Sequence, residues 1–537
     1  MKIRIALLLD SSIVPAWTWE AISQLYQKKN AEVVLAVINE TPIPSGEKSP
    51  FLYRVYRYLD RKLFLTQPDA FAKKDLREIP DWIVPQLRLT PIQKKYSDYF
   101  RPEDLEKISE YQPDLIIRLG FRILRGEILS MTRFGVWSFH HGDPEYYRGG
   151  PPGFWEVMNR QPITGFVLMQ LTEQLDQGKI LYQSWMQTDP LSVQRNANRL
   201  FWASAYAPVR VIQEIEKIGL DNWNKNISNS RLHSKAPLWK PPGTWKTLHL
   251  WTSLVNISIK RKWEEFQSQA HWQIGKVTGS INGSSITIDP TDIQLLEHYF
   301  PDRYFLADPF TIELNGTEFL FAEEFDKKKN KGRIVWISQS EAGIQIHPVL
   351  DEAWHLSYPF LWKDKNQVFM IPESSESGKV YMYQAVDFPL KWENTGILFE
   401  HEGYDPTLVK KDGLFWLFIT QKAHPACWPF DELNLYWTED LERPKWNAHP
   451  KNPVVSDVRK ARSAGKLFEK DGQWFRPAQN SGIRYGHQVR LQKVSKWSKS
   501  EYEEETVQII QAADPALGIH TWNGNESGTW VDIYFRR

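Results

Sequence analysis

Cysteine is nearly absent: the 537 residues contain one, Cys427. A single thiol excludes an intramolecular disulfide and a cysteine-based zinc site. It suits a reducing compartment, and no metal is expected. Charge of one sign is also missing. Lys and Arg number 66 against 65 Asp and Glu, a net charge of +1, so no general field draws nucleic acid. Long apolar runs are lacking as well, and nothing approaches the roughly 18 residues of a spanning helix. The opening run Ile3–Leu9 is too short and too soon interrupted by Asp10 for a signal peptide. These absences give the expectation of a cytoplasmic location. No G-x-G-x-x-G occurs, so a dinucleotide is not implied. What the chain does have is tryptophan, 25 in all. Aromatic-rich chains build all-β cores or sugar-binding surfaces, because rings stack on sugar faces.

The first part alternates strand and helix. Residues 3–9 read as an apolar strand, a helix follows to about Lys28, and Ala31–Ile38 is a second buried strand. That order argues for an open parallel sheet with right-handed crossovers. Phe51–Leu65 has helical spacing, and residues 66–100 have a mixed pattern. Arg101–Tyr111 is a short helix before a strand at 114–119. Val193–Ile218 closes the domain as a helix with a kink or break expected at Pro208.

Between them, residues 134–180 hold the densest chemistry: His140, His141, an Asp-Pro turn, Tyr147-Arg148-Gly149-Gly150 and Asp176. His140 and Asp176 lie just beyond strand ends, where open α/β sheets place ligands. A His beside a carboxylate equips a site for acyl transfer. The imidazole moves a proton and the carboxylate fixes its tautomer. Ser138 shares the His140 face if this is a strand. The plain alternative is that this His and Asp are unrelated.

The segment resembles the folate-dependent formyltransferases, over roughly residues 1–215. It carries Ser138-Phe139-His140, Tyr147-Arg148-Gly149, Thr164-Gly165-Phe166 and Leu175-Asp176-Gln177-Gly178 where that family has Asn-x-His, Tyr-Arg-Gly, a strand and Leu-Asp-x-Gly. The resemblance implies 10-formyltetrahydrofolate as donor and His140 as the proton-moving group. It gives Asp176 the role of orienting that His and helping to deprotonate the amine. Gly120 and Leu124 fall at the folate-pocket loop, with Leu124 near the pterin, and Arg148 and Gly149 fall in the acceptor loop. Ser138 departs from the family's Asn, whose amide helps bind the oxyanion, and is expected to replace it weakly. His141 stands where Pro is usual and is expected to compensate in part.

Residues 221–265 read as a connector. From 222 to 263 it has eight Lys or Arg and no Asp or Glu. Its second half, 245–266, reads as a helix with Trp245, Leu248, Trp251, Leu254 and Val255 inside. A basic, Trp-bearing helix can lie on an anionic membrane surface. The other reading is a helix packed between domains with a solvated basic face.

From residue 300 onward the chain repeats with a period of about 50 residues, a propeller signal. Ala307-Asp-Pro-Phe310, Ser357-Tyr-Pro-Phe360 and Tyr404-Asp-Pro406 each open a strand, hairpin, strand unit, and a weaker copy begins at Ser463. A fifth blade closed by 266–290 with 510–537 gives an all-β five-bladed propeller. Asp308 and Asp405 stand at strand starts, with Glu323 and Glu373 at the ends of second strands. Carboxylates around a central funnel can form a glycoside-processing site, or Asp-Pro is only the turn that caps each strand. This half resembles five-bladed propellers of the glycoside-hydrolase type, in particular the propeller attached to plant glucosamine inositolphosphorylceramide transferases. The matching residues include Asp351–Phe360, Met370–Ser374, Ala461-Arg-Ser463 and Tyr485-Gly486.

The expected organisation is therefore an α/β domain at 1–220, a connector at 221–265 and a propeller at 266–537. The expected activity is formyl or related acyl transfer to the amine of an amino sugar or glycoconjugate, with the propeller recognising carbohydrate. The alternative is a glycoside-active or glycan-binding propeller on an inactive formyltransferase-like scaffold.

Overall fold

A computed structural model describes the chain except residues 1, 42–48, 175–177, 229–235, 268–270, 278–283, 297–301, 341–342, 526–527 and 536–537. Contacts divide it into two units. The first is Met1–Ile259 with Ala423–Cys427; the second is Lys260–Lys422 with Trp428–Arg537. Residues 221–259, expected as a connector, group with the first unit. Leu238–Trp239 pairs with Arg148–Gly149, and Leu254 is buried in one cluster with Tyr53, Tyr56 and Phe154.

The first unit is built on a seven-stranded sheet. In spatial order its strands are Lys179–Gln187, Ile163–Gln170, Val136–His140, Leu115–Arg118, Ile3–Leu9, Ala31–Asn39 and Gln86–Leu89. Ile3–Leu9 is apolar throughout because both sheet faces are covered. Ile5, Leu7 and Leu9 enter one core cluster, Ala6 and Leu8 the other, as the two-residue side-chain period requires. The sheet is not wholly parallel. Ile163–Gln170 runs antiparallel to both neighbours, since the short connection to Lys179 permits only a hairpin-type return. The break at Pro208 is present: one helix covers Val193–Ser204 and a second Ala207–Ile218 with that Pro in its first turn. A proline there loses no helical hydrogen bond.

The helix Thr244–Gln267 has a different inner face from the one expected. Leu254 is buried and Trp251 packs edge-on against Tyr56. Trp245, Leu248 and Val255 are exposed, as are Ile259 and Trp263. The helix carries apolar residues on two sides, and only the side bearing Thr247, Leu250, Trp251 and Leu254 meets the core. Among the described residues no helix is long and apolar enough to cross a membrane.

The second unit is all-β. Its five sheets of four or five strands are the blades of the propeller. His271–Val277 pairs with Gly528–Phe535, closing one blade from both ends of the unit as expected. Ser285–Ile288, expected in the same blade, pairs with Tyr502–Ala512 in another sheet. The register shifts at Ala307/Phe310, Ser357/Phe360 and Tyr404/Thr407. Asp308, Tyr358 and Asp405, each before the repeat's proline, take φ of 50°, 46° and 48°. A left-handed, non-glycine residue recurring at a bulge is a conserved-geometry device within the repeat rather than a sporadic turn.

Candidate functional sites

Val136–His140 lies beside Leu115–Arg118, with Ser138 opposite Arg118. Just past these strand ends is a cavity of about 220 Å3 lined by Arg118, Leu124, Ser138, His140, Gly149 and Gly178, among others. Its walls therefore unite four of the expected residues: Ser138, His140, Leu124 and Gly149. Asp176 lies outside the described residues.

His140 Nε2 is 2.8 Å from the Tyr147 carbonyl. A carbonyl can only accept, so Nε2 carries the proton and Nδ1 keeps its lone pair. The backbone of the Tyr-Arg-Gly loop thus sets the tautomer and leaves one ring nitrogen able to take a proton.

The Ser138 oxygen is held by Arg118, and its hydroxyl proton has only a distant acceptor among the described residues. Ser138 Oγ accepts from Arg118 Nε at 2.9 Å, and its own hydroxyl reaches only the Phe139 carbonyl at 3.5 Å. Arg118 Nη1 donates to the carbonyls of Phe121 and Arg122 at 3.1 and 3.0 Å. Burial pulls the Arg118 pKa down, while Asp10 and Asp98 oppose this.

Three expected residues do not line the cavity. His141 follows the strand on the other side from His140, as alternation demands. Its ring stacks on Phe201 at 3.9 Å, with Trp17 and Phe139 beside it, and Nε2 meets Ser204 Oγ at 2.8 Å. Burial, then the nearby His140, pushes its pKa down to about 3, so it stays neutral. Gly120 serves packing: a Cβ there would lie 2.4 Å from the Asp10 amide nitrogen. The Arg148 guanidinium bonds the Ala236 carbonyl at 3.3 Å.

The second unit has its own cavity of about 290 Å3, lined by Asp308, Glu323, Glu373 and the rings of Trp272, Phe430 and Tyr485, among others. Of the three expected acids, Asp308 and Glu373 line it and Asp405 does not. Asp405 is buried and gripped by both guanidinium arms of Arg462, at 2.5 and 3.0 Å, a fork-on-carboxylate pairing. Arg462 also lies 5.1 to 5.6 Å from the rings of Tyr485, Phe430 and Tyr404. His520 bridges Asp308 and Asp532 at 3.1 and 2.9 Å.

These contacts separate the acids electrostatically. His520, Thr521 and Arg462 hold the Asp308 pKa below the usual carboxylate value despite burial. Glu323, buried and near Asp308, is pushed well above it. Asp405 is pushed up to about 6, burial outweighing Arg462. One cavity therefore holds two acids whose surroundings push them in opposite directions.

Sequence reasoning missed Arg118, Arg462, His520 and Tyr485. The signal for Arg118 was available: it is the one charge inside the apolar strand Leu115–Leu119. Arg462 and Tyr485 stand within stretches that carry the propeller resemblance, but nothing in the sequence aims them at Asp405.

With this geometry in hand, the comparisons divide the chain as the folds do. Residues 60–200 match the formyl transferase model, and residues 293–533 match the model of the N-terminal domain of glucosamine inositolphosphorylceramide transferase 1. The chain joins a formyltransferase-type domain to a domain of that second type. Glucosamine inositolphosphorylceramide transferase 1 of Oryza sativa subsp. japonica is 34% identical over 245 residues, covering 43% of this chain and 32% of its own. Methionyl-tRNA formyltransferase of Chlorobium chlorochromatii (strain CaD3) is 30% identical over 171 residues, covering 32% of this chain and 49% of its own. The chain spans about a third of the length of the first of these relatives and about half of the second. Among solved structures, a family 117 glycoside hydrolase of the marine bacterium Zobellia galactanivorans aligns with a TM-score of 0.32 and 14% identity, over 50% of this chain and 90% of its own.

Proposed function

We propose that the protein transfers a formyl (or related acyl) group from 10-formyltetrahydrofolate to the amine of an amino sugar or glycoconjugate, with the propeller recognising the carbohydrate. The observation that carries this is His140. Its Nε2–H is committed to the Tyr147 carbonyl, and its other nitrogen belongs to a residue lining a cavity at the strand ends. The amine nitrogen attacks the formyl carbon, His140 Nδ1 takes the amine proton, and the proton returns to the departing folate nitrogen. Asp176 orients His140 and assists deprotonation. Leu124 packs against the donor's ring system. The name of the plant relatives couples glucosamine, an amino sugar, with inositolphosphorylceramide. An amino-sugar glycoconjugate is the acceptor class that links such a propeller to an acyl-transfer domain.

A second reading has its own observation. Asp308 held low and Glu323 pushed high in one aromatic-walled cavity match the division of labour of a general base and a general acid. It places glycoside chemistry in the propeller and leaves the first unit as a scaffold. Paired variants separate the two. In an assay of formyl transfer from 10-formyltetrahydrofolate to glucosamine and to glucosamine-bearing glycolipid, His140→Ala is expected to abolish product and Glu323→Gln to leave the chemical step intact. No formyl transfer by the wild type, together with release of reducing sugar that is lost in Glu323→Gln, would establish the second reading instead.

A further inference from the structure

The cavity contains a cation that nothing in the expected chemistry uses. Arg118 is the last residue of a sheet strand whose other residues, Leu115, Ile116 and Ile117, are buried. Two of its three nitrogens are committed: Nε to Ser138 Oγ, and Nη1 to the carbonyls of Phe121 and Arg122. All three acceptors are uncharged. The loop that supplies the two carbonyls turns at Phe121, which takes a φ of 63°. The nearby acids are engaged elsewhere. Asp98 binds Arg122 through both carboxylate oxygens, and Asp10 accepts from the Phe121 amide. Among the described residues no carboxylate comes within ion-pair distance of Arg118. Among the described residues Nη2 has no partner, and Arg118 lines the cavity that Ser138 and His140 share.

A half-buried guanidinium with no counter-charge among the described residues is costly. It is retained where an anion completes it, and its rigid fork aims the remaining N–H groups. The fork here is pinned by three hydrogen bonds on its other side, so it need not reorganise when charge develops in front of it.

We propose that Arg118 Nη2 is the oxyanion donor of this cavity, and that Ser138 is a positioning residue that holds the guanidinium in place. The inference rests on the acyl-transfer reading above. As the amine nitrogen bonds to the formyl carbon, the carbonyl π pair moves onto oxygen, and that oxyanion receives the Nη2–H hydrogen bond. Collapse re-forms the C=O bond and breaks the bond to the folate nitrogen, which takes the proton carried by His140. The Ser138 hydroxyl contributes no hydrogen bond to the reacting oxygen.

The test uses the full chain and two readouts. The dissociation constant of 5-formyltetrahydrofolate reports the ground state. The single-turnover rate of formyl release from 10-formyltetrahydrofolate, with glucosamine or with water as acceptor, reports the transition state. Arg118→Ala is expected to slow formyl release by about 100–1000-fold, the usual loss for one oxyanion donor, while ligand affinity is unchanged. Added guanidinium ion at low concentration is expected to restore part of the rate, which a purely structural lesion would not allow. Arg118→Lys, which keeps the charge and loses the fork, is expected to remain slow and serves if the alanine variant does not fold. Ser138→Ala is expected to slow release less than Arg118→Ala. A wild-type rate in both Arg118 variants, with the wild-type protein binding and turning over the folate, overturns the role of Arg118 and leaves the acyl-transfer reading standing. No folate binding by the wild type overturns both.

Discussion

His520 is held between two carboxylates in the propeller interior, and its pKa is pushed up to about 10 by Asp532 and Asp308 against the opposing effect of burial. The sign follows from the raised value. The stabilising contribution of the charged imidazole is complete below its ordinary pKa near 6.5 and is lost as pH rises through about 10. Glu323, raised well above its ordinary value, acts in the same direction, because its ionisation at higher pH puts further negative charge into the same interior, whereas Asp405, pushed up to about 6, has its effect below pH 7. Asp308, held low, acts oppositely and matters only in acid. The denaturant midpoint of the propeller transition is therefore expected to fall between pH 7 and pH 10. In His520→Gln that dependence should be shallower and the midpoint at pH 7 lower. A wild-type midpoint that stays flat or rises over this range would contradict the assigned charge states. At this scale the sequence was partly legible. Asp308 and Asp405 were found because Asp-Pro recurs at a fixed place in the repeat. His140 was found from its loop. Arg118 and His520 were not, because their roles depend on neighbours brought in by folding, such as Ser138 on the strand paired with that of Arg118 and Asp308 from a distant strand beside His520.

Among the elements, the helix Thr244–Gln267 has the least expected surface. Trp245 is 81% exposed, Ile259 62% and Trp263 61%, and Leu248 and Val255 continue the same side. Lys260 and Lys262 flank this stripe. An exposed apolar stripe with cations along its border, and no acid between residues 222 and 263, complements an anionic lipid surface. We therefore predict co-sedimentation of the protein with vesicles of phosphatidylglycerol and phosphatidylcholine. Binding should weaken as salt rises and with the double change Trp245→Ser, Trp263→Ser. Equal recovery in the supernatant with and without vesicles at low salt would show that this side meets something other than lipid. Periodicity had indicated the helix but mistook its inner face, since two apolar stripes on one helix cannot be ranked without knowing which one meets Tyr56 and Phe154. The break at Pro208 was legible because proline constrains the backbone locally, whereas the bulges beside the repeat's prolines were not read from the sequence. The antiparallel pair at the sheet edge and the crossing of Ser285–Ile288 into another blade were not, because strand partners are chosen by tertiary packing.

For the whole molecule, both architectures could be read from the chain: one from a spaced set of loop residues, the other from a repeat long enough to align by eye. The boundary between them could not. Proline, lysine and arginine between 222 and 263 have the composition of a linker, whereas the contacts of Leu238, Trp239 and Leu254 attach that stretch to the first unit. The claim on which the functional account depends is that the cavity beside His140 takes a formylated folate. Its most direct test is a thermal-shift titration of the full chain with 5-formyltetrahydrofolate, in wild type and in Leu124→Arg, which fills the cavity. The account predicts stabilisation of about 2.7 kcal/mol in wild type when free ligand reaches about 100 times the dissociation constant, with the shift lost in Leu124→Arg. No shift in wild type at millimolar ligand, or an equal shift in both proteins, would contradict it.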